Sequence, residues 1–184
     1  MPTNPPAGDS RLFALVCYLP SPLGTYLDQL RKSFPAQKGG RAHLTFLAPR
    51  PLSISPAAAQ HVVAAALDGF DAFEVELTKV FRFPSTNVIY IGVGEGCQAA
   101  DSLHQALNTG PLAYQEPFDY RPHISLVFPE GGAELDTIER TLATEWDDCS
   151  VAKRFQVNTL DFVQNTHDGQ WERLWHCHLG NSKG

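Results

Sequence analysis

Apolar residues along the chain follow two patterns, one typical of buried strands and one typical of amphipathic helices. Residues 12–19 form a short apolar run that ends at Pro20, which predicts a strand. After Ser21-Pro22, a capping serine followed by a first-turn proline, leucines at 23, 27 and 30 recur at helical spacing and predict a helix that ends near Pro35. The same reasoning predicts further strands at 43–48, 73–81, 87–93, 122–128, 151–162 and 171–179, and further helices at 55–67, 99–110 and 135–142.

The order of these predicted elements repeats. Each half of the chain is strand, helix, strand, helix, strand, and one extra strand follows at the C-terminal end. An offset of 80 residues aligns Leu23 with Leu103 and His43 with His123. The sequence therefore predicts a duplicated lobe, with the break between the copies at residues 84–86.

Composition narrows the class of protein. The 184 residues carry a formal net charge of −6, which argues against a protein that coats duplex nucleic acid or an anionic membrane. No apolar run approaches the ~18 residues of a membrane span. Residues 1–10 have no signal-peptide pattern and are interpreted as a loose tail. The four cysteines are scattered, which favours reduced thiols in a cytoplasmic protein and leaves a disulfide open.

Two aligned strands carry the same pattern, Arg-x-His-apolar-hydroxyl-apolar. Since side chains alternate along a strand, the polar residues of each copy share one face and the apolar ones point into the core. One copy alone is best explained as a satisfied histidine on a half-buried strand. Two copies are expected by chance in only about one or two per cent of such chains, so the matched pair predicts a functional site. Its polar members are Arg41, His43, Thr45, Arg121, His123 and Ser125.

Two imidazoles that face each other across a groove can divide the roles of general acid and general base near neutral pH. The hydroxyls and arginines can donate hydrogen bonds to the oxygens of a tetrahedral anion held between them. A phosphodiester fits this arrangement, and the chemistry requires neither a metal nor another cofactor.

The duplicated motif resembles that of the two-histidine (2H) phosphoesterases, whose signature is two copies of His-hydrophobic-Ser/Thr-hydrophobic. It is most similar to the branch of 2′-5′ RNA ligase-like proteins and bacterial RNA 2′,3′-cyclic phosphodiesterases. The resemblance implies an α+β fold of two antiparallel-sheet lobes related by a pseudo-twofold, with helices outside and a central cleft. It also implies opening of 2′,3′-cyclic phosphates of RNA ends or small nucleotides, with 2′-5′ ligation in reverse in some members.

By this resemblance, residues 11–184 form a single bilobal phosphoesterase domain, with lobes at about 11–84 and 85–180 and strand exchange between them left open. His43 and His123 are the acid/base pair, and Thr45 and Ser125 donate to the phosphate oxygens. The family pattern suggests His43 as the acid and His123 as the base. A non-catalytic module that binds a nucleotide or RNA end in the same cleft is the alternative.

Substrate-binding residues are predicted around this pair. Arg41 and Arg121 are candidates for contacts with phosphate, and Tyr18 and Tyr120, with Phe81 and Phe83, are candidates for stacking a base. The acidic balance favours a short RNA end or a small cyclic nucleotide over long RNA. We expect the protein to act as a monomer without a membrane partner.

Other signals are weaker. The glycine run at 92–96 resembles a dinucleotide loop, but its spacing is wrong and a tight turn with positive φ explains it better. His176 and His178 share a strand face, and with His167 they are a weak candidate for a metal site. The remaining polar residues of note are expected at the surface: His61 and His104 on helices, and Lys38 and Arg50 as solvated loop charges.

Overall fold

The computed structural model describes residues 11–34, 40–128, 134–166 and 170–180. The predicted tail at 1–10, Lys38 and His167 lie outside these residues. In chain order the described residues form β1 (Phe13–Tyr18), α1 (Leu23–Lys32), β2 (His43–Arg50), α2 (Pro56–Leu67), β3 (Phe73–Arg82), β4 (Ile89–Val93), α3 (Cys97–Leu107), a 3-10 turn (Gly110–Leu112), β5 (His123–Val127), α4 (Leu135–Asp147), β6 (Arg154–Val157), β7 (Thr159–Asn165) and β8 (Trp171–His178).

The strands build two four-stranded antiparallel sheets, in the orders β2-β1-β7-β8 and β5-β4-β3-β6. This arrangement confirms the predicted α+β class with two antiparallel-sheet lobes. The boundary near residue 84 does not separate the sheets, however. β3 precedes that boundary and lies in the second sheet, whereas β7 and β8 come from the C-terminal end and complete the first.

The single strand predicted at 151–162 is wrong, because β6 and β7 belong to different sheets. The chain leaves one sheet and enters the other at the exposed Asn158. Buried and exposed residues alternate in β6, whereas residues 160–163 of β7 are all buried, so the period-two pattern ends at the crossing.

One hydrophobic core joins the two lobes. The leucines of α1 at 23, 27 and 30 are buried in it, as the helical spacing predicts. α1 contacts β5, and α3 contacts β2, so each of these helices packs against the motif strand of the other repeat. The helices cover one face of the sheets, and this leaves the faces that carry the motif polar residues free to line a cleft.

Local signals at the helix ends are partly confirmed. Ser55 caps α2 by accepting a hydrogen bond from the amide of Ala58, whereas Ser21 does not cap α1, which begins after Pro22. Gly96 precedes α3 with φ of 83°, and a Cβ there would lie 2.4 Å from the carbonyl oxygen of Glu74. The predicted tight turn at this glycine run is therefore confirmed.

Arg50 is not a solvated loop charge. Its side chain is 2% exposed, and it links β2 to the segment after α3. The guanidinium donates to Asn108 Oδ1 at 2.7 Å and to the carbonyl oxygen of Leu112 at 3.0 Å, and it pairs with the carboxylate of Glu116. Removing one partner of such a buried pair costs about 3–5 kcal/mol. This ion pair ties the first sheet to the second repeat.

All four cysteines are unpaired thiols, and burial raises the pKa of Cys17 to about 12. Among the described residues, no helix is both long and apolar enough to cross a membrane.

Candidate functional site

The two histidine motifs lie on the edge strands β2 and β5, and these two strands contact each other. His43 and Thr45 are half-buried on β2, and His123 and Ser125 are half-buried on β5, while the residues between them are fully buried. The charge of His123 is also among the causes that lower the pKa of His43. The structure thus places the four predicted catalytic residues on two neighbouring edge strands.

Both motif strands carry a one-residue β-bulge directly after the hydroxyl residue. The extra residue is Phe46 in β2 and Leu126 in β5, relative to the partner strands β1 and β4. A bulge bends its strand and redirects the neighbouring side chains. The two strands therefore bend in the same way directly after Thr45 and Ser125. The identical spacing of the two motifs in sequence does not by itself require this shared bend.

Each site histidine makes the same local hydrogen bond. Nδ1 of His43 lies 2.7 Å from the carbonyl oxygen of Arg41, and Nδ1 of His123 lies 2.6 Å from that of Arg121. Because a carbonyl oxygen can only accept, we assign the proton to Nδ1 in both rings. Each Nε2 is therefore unprotonated in the neutral ring.

Burial lowers the pKa of both histidines below the ordinary value of 6.5. The hydrogen bond to the carbonyl oxygen opposes this effect in each case. Nearby cations add to it: Arg31 acts on His43, and Arg121 acts on His123. The folded protein therefore favours two neutral imidazoles at neutral pH.

Arg31 and Asp28 of α1 were missed by the sequence analysis. Arg31 is 7% exposed, donates to the carbonyl oxygen of Gly40 at 2.9 Å and lies 3.9 Å from Asp28. Asp28 in turn accepts a hydrogen bond from the amide of Ala42 at 2.5 Å. Together these residues fix the chain just before His43. The available signal was the position of Arg31, four residues after Leu27 and thus on the buried face of the helix.

Aromatic rings surround His123. Phe83 and Tyr90 stack at a centroid distance of 4.0 Å, and both rings present edges to the imidazole at 5.1 and 5.3 Å. Phe81 packs beside Tyr90 at 5.7 Å and is 43% exposed. Arg121 donates to the hydroxyl of Tyr90 at 3.3 Å, so it lies at this aromatic cluster next to His123.

Tyr18 and Arg41 lie together beside the other histidine. Tyr18 is directly opposite His43 in the β1–β2 pairing, and their rings meet edge to face at 5.9 Å. The Arg41 guanidinium lies 4.4 Å from the centroid of the Tyr18 ring. Burial and the carboxylate of Asp161 raise the pKa of Tyr18, whereas Arg41 and Arg173 oppose that rise.

Tyr120 has its ring and hydroxyl occupied by protein groups. One ring face stacks on His104 at 3.9 Å, and the hydroxyl donates to the carbonyl oxygen of Thr45 at 2.9 Å. Burial raises the pKa of this phenol. These contacts hold β2 against the second repeat. They give Tyr120 a structural role that does not involve stacking on a nucleobase.

The expectation that His104 lies at the surface is wrong. It is 7% exposed, and its Nδ1 donates to the carbonyl oxygen of the bulge residue Phe46 at 2.7 Å. His104 lies four residues after Ala100 and three before Leu107, on the buried face of α3, and its hydrogen-bond partner comes from the other repeat. His61, by contrast, is exposed as predicted.

The described residues contain no group of three or more His, Cys, Asp or Glu side chains placed to hold a metal ion. His176 and His178 lie exposed on β8 with ring centroids 5.2 Å apart, and His167, their suggested third partner, is outside the described part of the chain.

Comparisons with known proteins give a consistent picture. A family model described as the 2′-5′ RNA ligase superfamily matches residues 19–169. No curated protein matches the sequence. LigT of E. coli complexed with 3′-AMP is 14% identical, with a TM-score of 0.65 over 94% of this chain and 100% of LigT. A protein titled phosphoesterase is 15% identical, with a TM-score of 0.63 over 93% and 99% of the two chains. TT0787 of Thermus thermophilus is also 15% identical, with a TM-score of 0.61 over 94% and 100%.

The lowered pKa values of the site histidines predict a pH dependence of stability. Between the folded pKa and 6.5 the unfolded chain binds more protons than the folded protein, so the free energy of unfolding falls as pH decreases through this window. Replacing both imidazoles, His43→Asn with His123→Asn, is expected to make this fall shallower. Urea unfolding between about pH 5 and about pH 8 measures it. His61→Asn is the control, and equal slopes in wild type and double variant would contradict the account.

Proposed function

The chain belongs to the 2′-5′ RNA ligase superfamily, and on this premise we propose that it is a 2′,3′-cyclic phosphodiesterase. Its substrate is the cyclic phosphate of a short RNA end or a small nucleotide. The observation that carries the proposal is the matched pair His43 and His123 on two neighbouring strands, each with its Nδ1 hydrogen-bonded to a carbonyl oxygen so that Nε2 remains for proton transfer.

In the proposed reaction the phosphate lies between the two Nε2 atoms. His123 takes a proton from a water molecule, whose oxygen forms the new bond to phosphorus. The bond from phosphorus to the ribose 3′ oxygen breaks on the opposite side, and His43 delivers the proton that this oxygen needs. The product is a 2′-phosphate with a free 3′-hydroxyl.

In this proposal, hydrogen-bond donors of the protein stabilise the negative charge of the phosphate. The hydroxyls of Thr45 and Ser125 donate to the non-bridging oxygens, and Arg41 and Arg121 lie at the rims beside their histidines. A bound anion also favours protonation of the acid, because its charge offsets the burial and the nearby cations that lower the pKa of His43. With a 5′-hydroxyl in place of water, the same steps would form a 2′-5′ linkage.

The exposed aromatic surface beside His123 supports a place for the nucleobase. We propose that the base stacks on Phe81, whose ring is the more exposed part of the aromatic cluster, and that Tyr18 borders the ribose on the opposite side. All of the proposed groups come from one chain, so we infer that a cytoplasmic monomer is sufficient for activity.

Alanine variants test the chemistry. His43→Ala and His123→Ala are each expected to lower the rate of opening of 2′,3′-cyclic AMP by about a hundredfold to ten-thousandfold, with His61→Ala as the matched control. The assay is run in excess chelator, and the product is identified as the 2′-phosphate by chromatography. Full activity in the double histidine variant would refute the mechanism. Tight binding of the nucleotide without turnover by wild type would instead indicate a binding module.

A second test concerns the base. Phe81→Ala is expected to raise KM for 2′,3′-cyclic AMP about tenfold with little change in kcat, because stacking of a base on an aromatic ring contributes about 1–3 kcal/mol. Phe118→Ala is the control, since Phe118 is also exposed and lies outside the cluster. An unchanged KM in Phe81→Ala would place the base elsewhere.

A further inference from the structure

We propose that Asp28 of α1 is a positioning residue for His43, which it reaches through the one peptide group between Arg41 and Ala42. His123 has no equivalent group behind it, so Asp28 makes the two histidines unequal and assigns the role of acid to His43. The assignment of the acid rests on the proposed function, whereas the link between Asp28 and His43 is a property of the free protein.

Two hydrogen bonds share this peptide group. The carbonyl of Arg41 and the amide N–H of Ala42 are opposite ends of one planar unit. Nδ1 of His43 lies 2.7 Å from the carbonyl oxygen, and the N–H donates to Oδ1 of Asp28 at 2.5 Å. The imidazole therefore donates to the peptide, and the same peptide donates to the carboxylate. We call this arrangement the peptide bridge.

The peptide bridge transmits the charge of the carboxylate to the ring. A charged acceptor at the N–H polarises the peptide and makes its carbonyl oxygen a stronger acceptor, because linked hydrogen bonds strengthen one another. A stronger acceptor holds the proton on Nδ1 more firmly, and it stabilises the positively charged imidazolium more than the neutral ring. Asp28 thus favours both the tautomer and the protonated form of His43.

The surroundings of the peptide bridge hold it in place. Ala42 is 1% exposed, and its carbonyl oxygen accepts a hydrogen bond from the amide of Leu19 at 3.0 Å. Arg31 donates to the carbonyl oxygen of Gly40 at 2.9 Å and lies 3.9 Å from Asp28, which is beyond hydrogen-bond distance. Asp28 therefore bonds to the amide of Ala42 rather than to the arginine.

The second repeat cannot form a peptide bridge. The offset of 80 residues places Pro122 at the position of Ala42. A proline has no N–H, so the peptide group between Arg121 and Pro122 has no donor for a carboxylate. His123 keeps its hydrogen bond to the carbonyl oxygen of Arg121 at 2.6 Å, and nothing polarises that carbonyl from the other end of the peptide.

The counterpart of Asp28 itself differs as well. The same offset aligns Asp28 with Asn108, whose side chain carries no charge. Its Oδ1 accepts hydrogen bonds from Nη1 of Arg50 at 2.7 Å and from the amide of Tyr114 at 2.9 Å. The repeats therefore agree in the histidine motif and differ in the groups that support it.

Charges around His43 act in both directions. Burial lowers the pKa of His43, and the charges of Arg31 and His123 act in the same direction, whereas the hydrogen bond to the carbonyl oxygen of Arg41 and the carboxylate of Asp28 oppose them. The titratable and charged groups of the described residues that face this ring come from four places: Asp28 and Arg31 of α1, Tyr18 of β1, His123 of β5, and Arg41 before β2.

This difference between the repeats matches the two roles in the proposed reaction. An acid must hold a proton near neutral pH before it can deliver that proton to the leaving oxygen. Asp28 raises the fraction of His43 that is protonated, against the effect of burial. His123 lacks a carboxylate behind its carbonyl partner and is therefore the imidazole better suited to accept a proton from water.

A ¹⁵N NMR titration of the histidine side chains tests the peptide bridge without turnover. Asp28→Asn keeps an oxygen acceptor for Ala42 and removes the charge. We expect the pKa of His43 to fall and its Nδ1 proton resonance to move upfield, because the hydrogen bond to the carbonyl weakens, while His123 stays unchanged. Asp28→Glu keeps the charge and is expected to restore part of both changes. Asp71→Asn removes the same charge from an exposed position and is the control.

Two results would overturn the peptide bridge. One is a titration of His43 that is identical in Asp28→Asn and wild type. The other is a lowered pKa of His43 with an unmoved Nδ1 proton, since this would show that Asp28 acts through space and not through the peptide.

The pH profile of kcat for 2′,3′-cyclic AMP tests the assignment of the acid. With His43 as the acid, Asp28→Asn is expected to move the alkaline limb to lower pH and to reduce kcat at about pH 8 about fivefold, with little change in KM. A shift of the acidic limb instead would make His43 the base and overturn the assignment. If wild type opens no substrate, the proposed function fails, and the NMR titration still decides whether the peptide bridge exists.

Discussion

The hydrogen bond from each site imidazole to the carbonyl oxygen two residues earlier is the constraint on which the site depends. It fixes the proton on Nδ1 and leaves Nε2 unprotonated in the neutral ring, in both repeats alike. A histidine on a half-buried strand without this bond would sample two tautomers and several ring orientations. With it, two separate strands present equivalent groups to one space, and the lowered pKa values keep both neutral until an anion enters.

Holding the two strands at a fixed separation is the second requirement, and contacts between the repeats meet it. β2 is an edge strand, and its bulge releases the carbonyl oxygen of Phe46 from the ladder. Nδ1 of His104 in α3 donates a hydrogen bond to that oxygen, and the hydroxyl of Tyr120 donates a hydrogen bond to the carbonyl oxygen of Thr45. The Arg50–Glu116 pair adds a buried ionic link further along β2. The lobes are thus interlocked around the cleft, which favours a preorganised site.

Much of this arrangement is readable from the sequence, because strand and helix periods and the repeated motif are local patterns. The start of β2, the position of β5 and the shared face of His43 and Thr45 follow from such patterns. The contacts that side chains and strands make with the other repeat cannot be predicted from these local patterns. The partners of Arg50 and His104 come from the other repeat, and β6 and β7 are divided by their pairing with strands of different sheets.

The most direct test of the central claim is ¹⁵N NMR of the histidine side chains, since it reports the protonation of each ring nitrogen. At neutral pH, His43 and His123 should each show a protonated Nδ1 and an unprotonated Nε2. Titration with inorganic phosphate should then shift both Nε2 resonances together, with one dissociation constant and one phosphate per protein. A proton on Nε2 of either ring in the free protein, or a phosphate response confined to one histidine, would contradict the account.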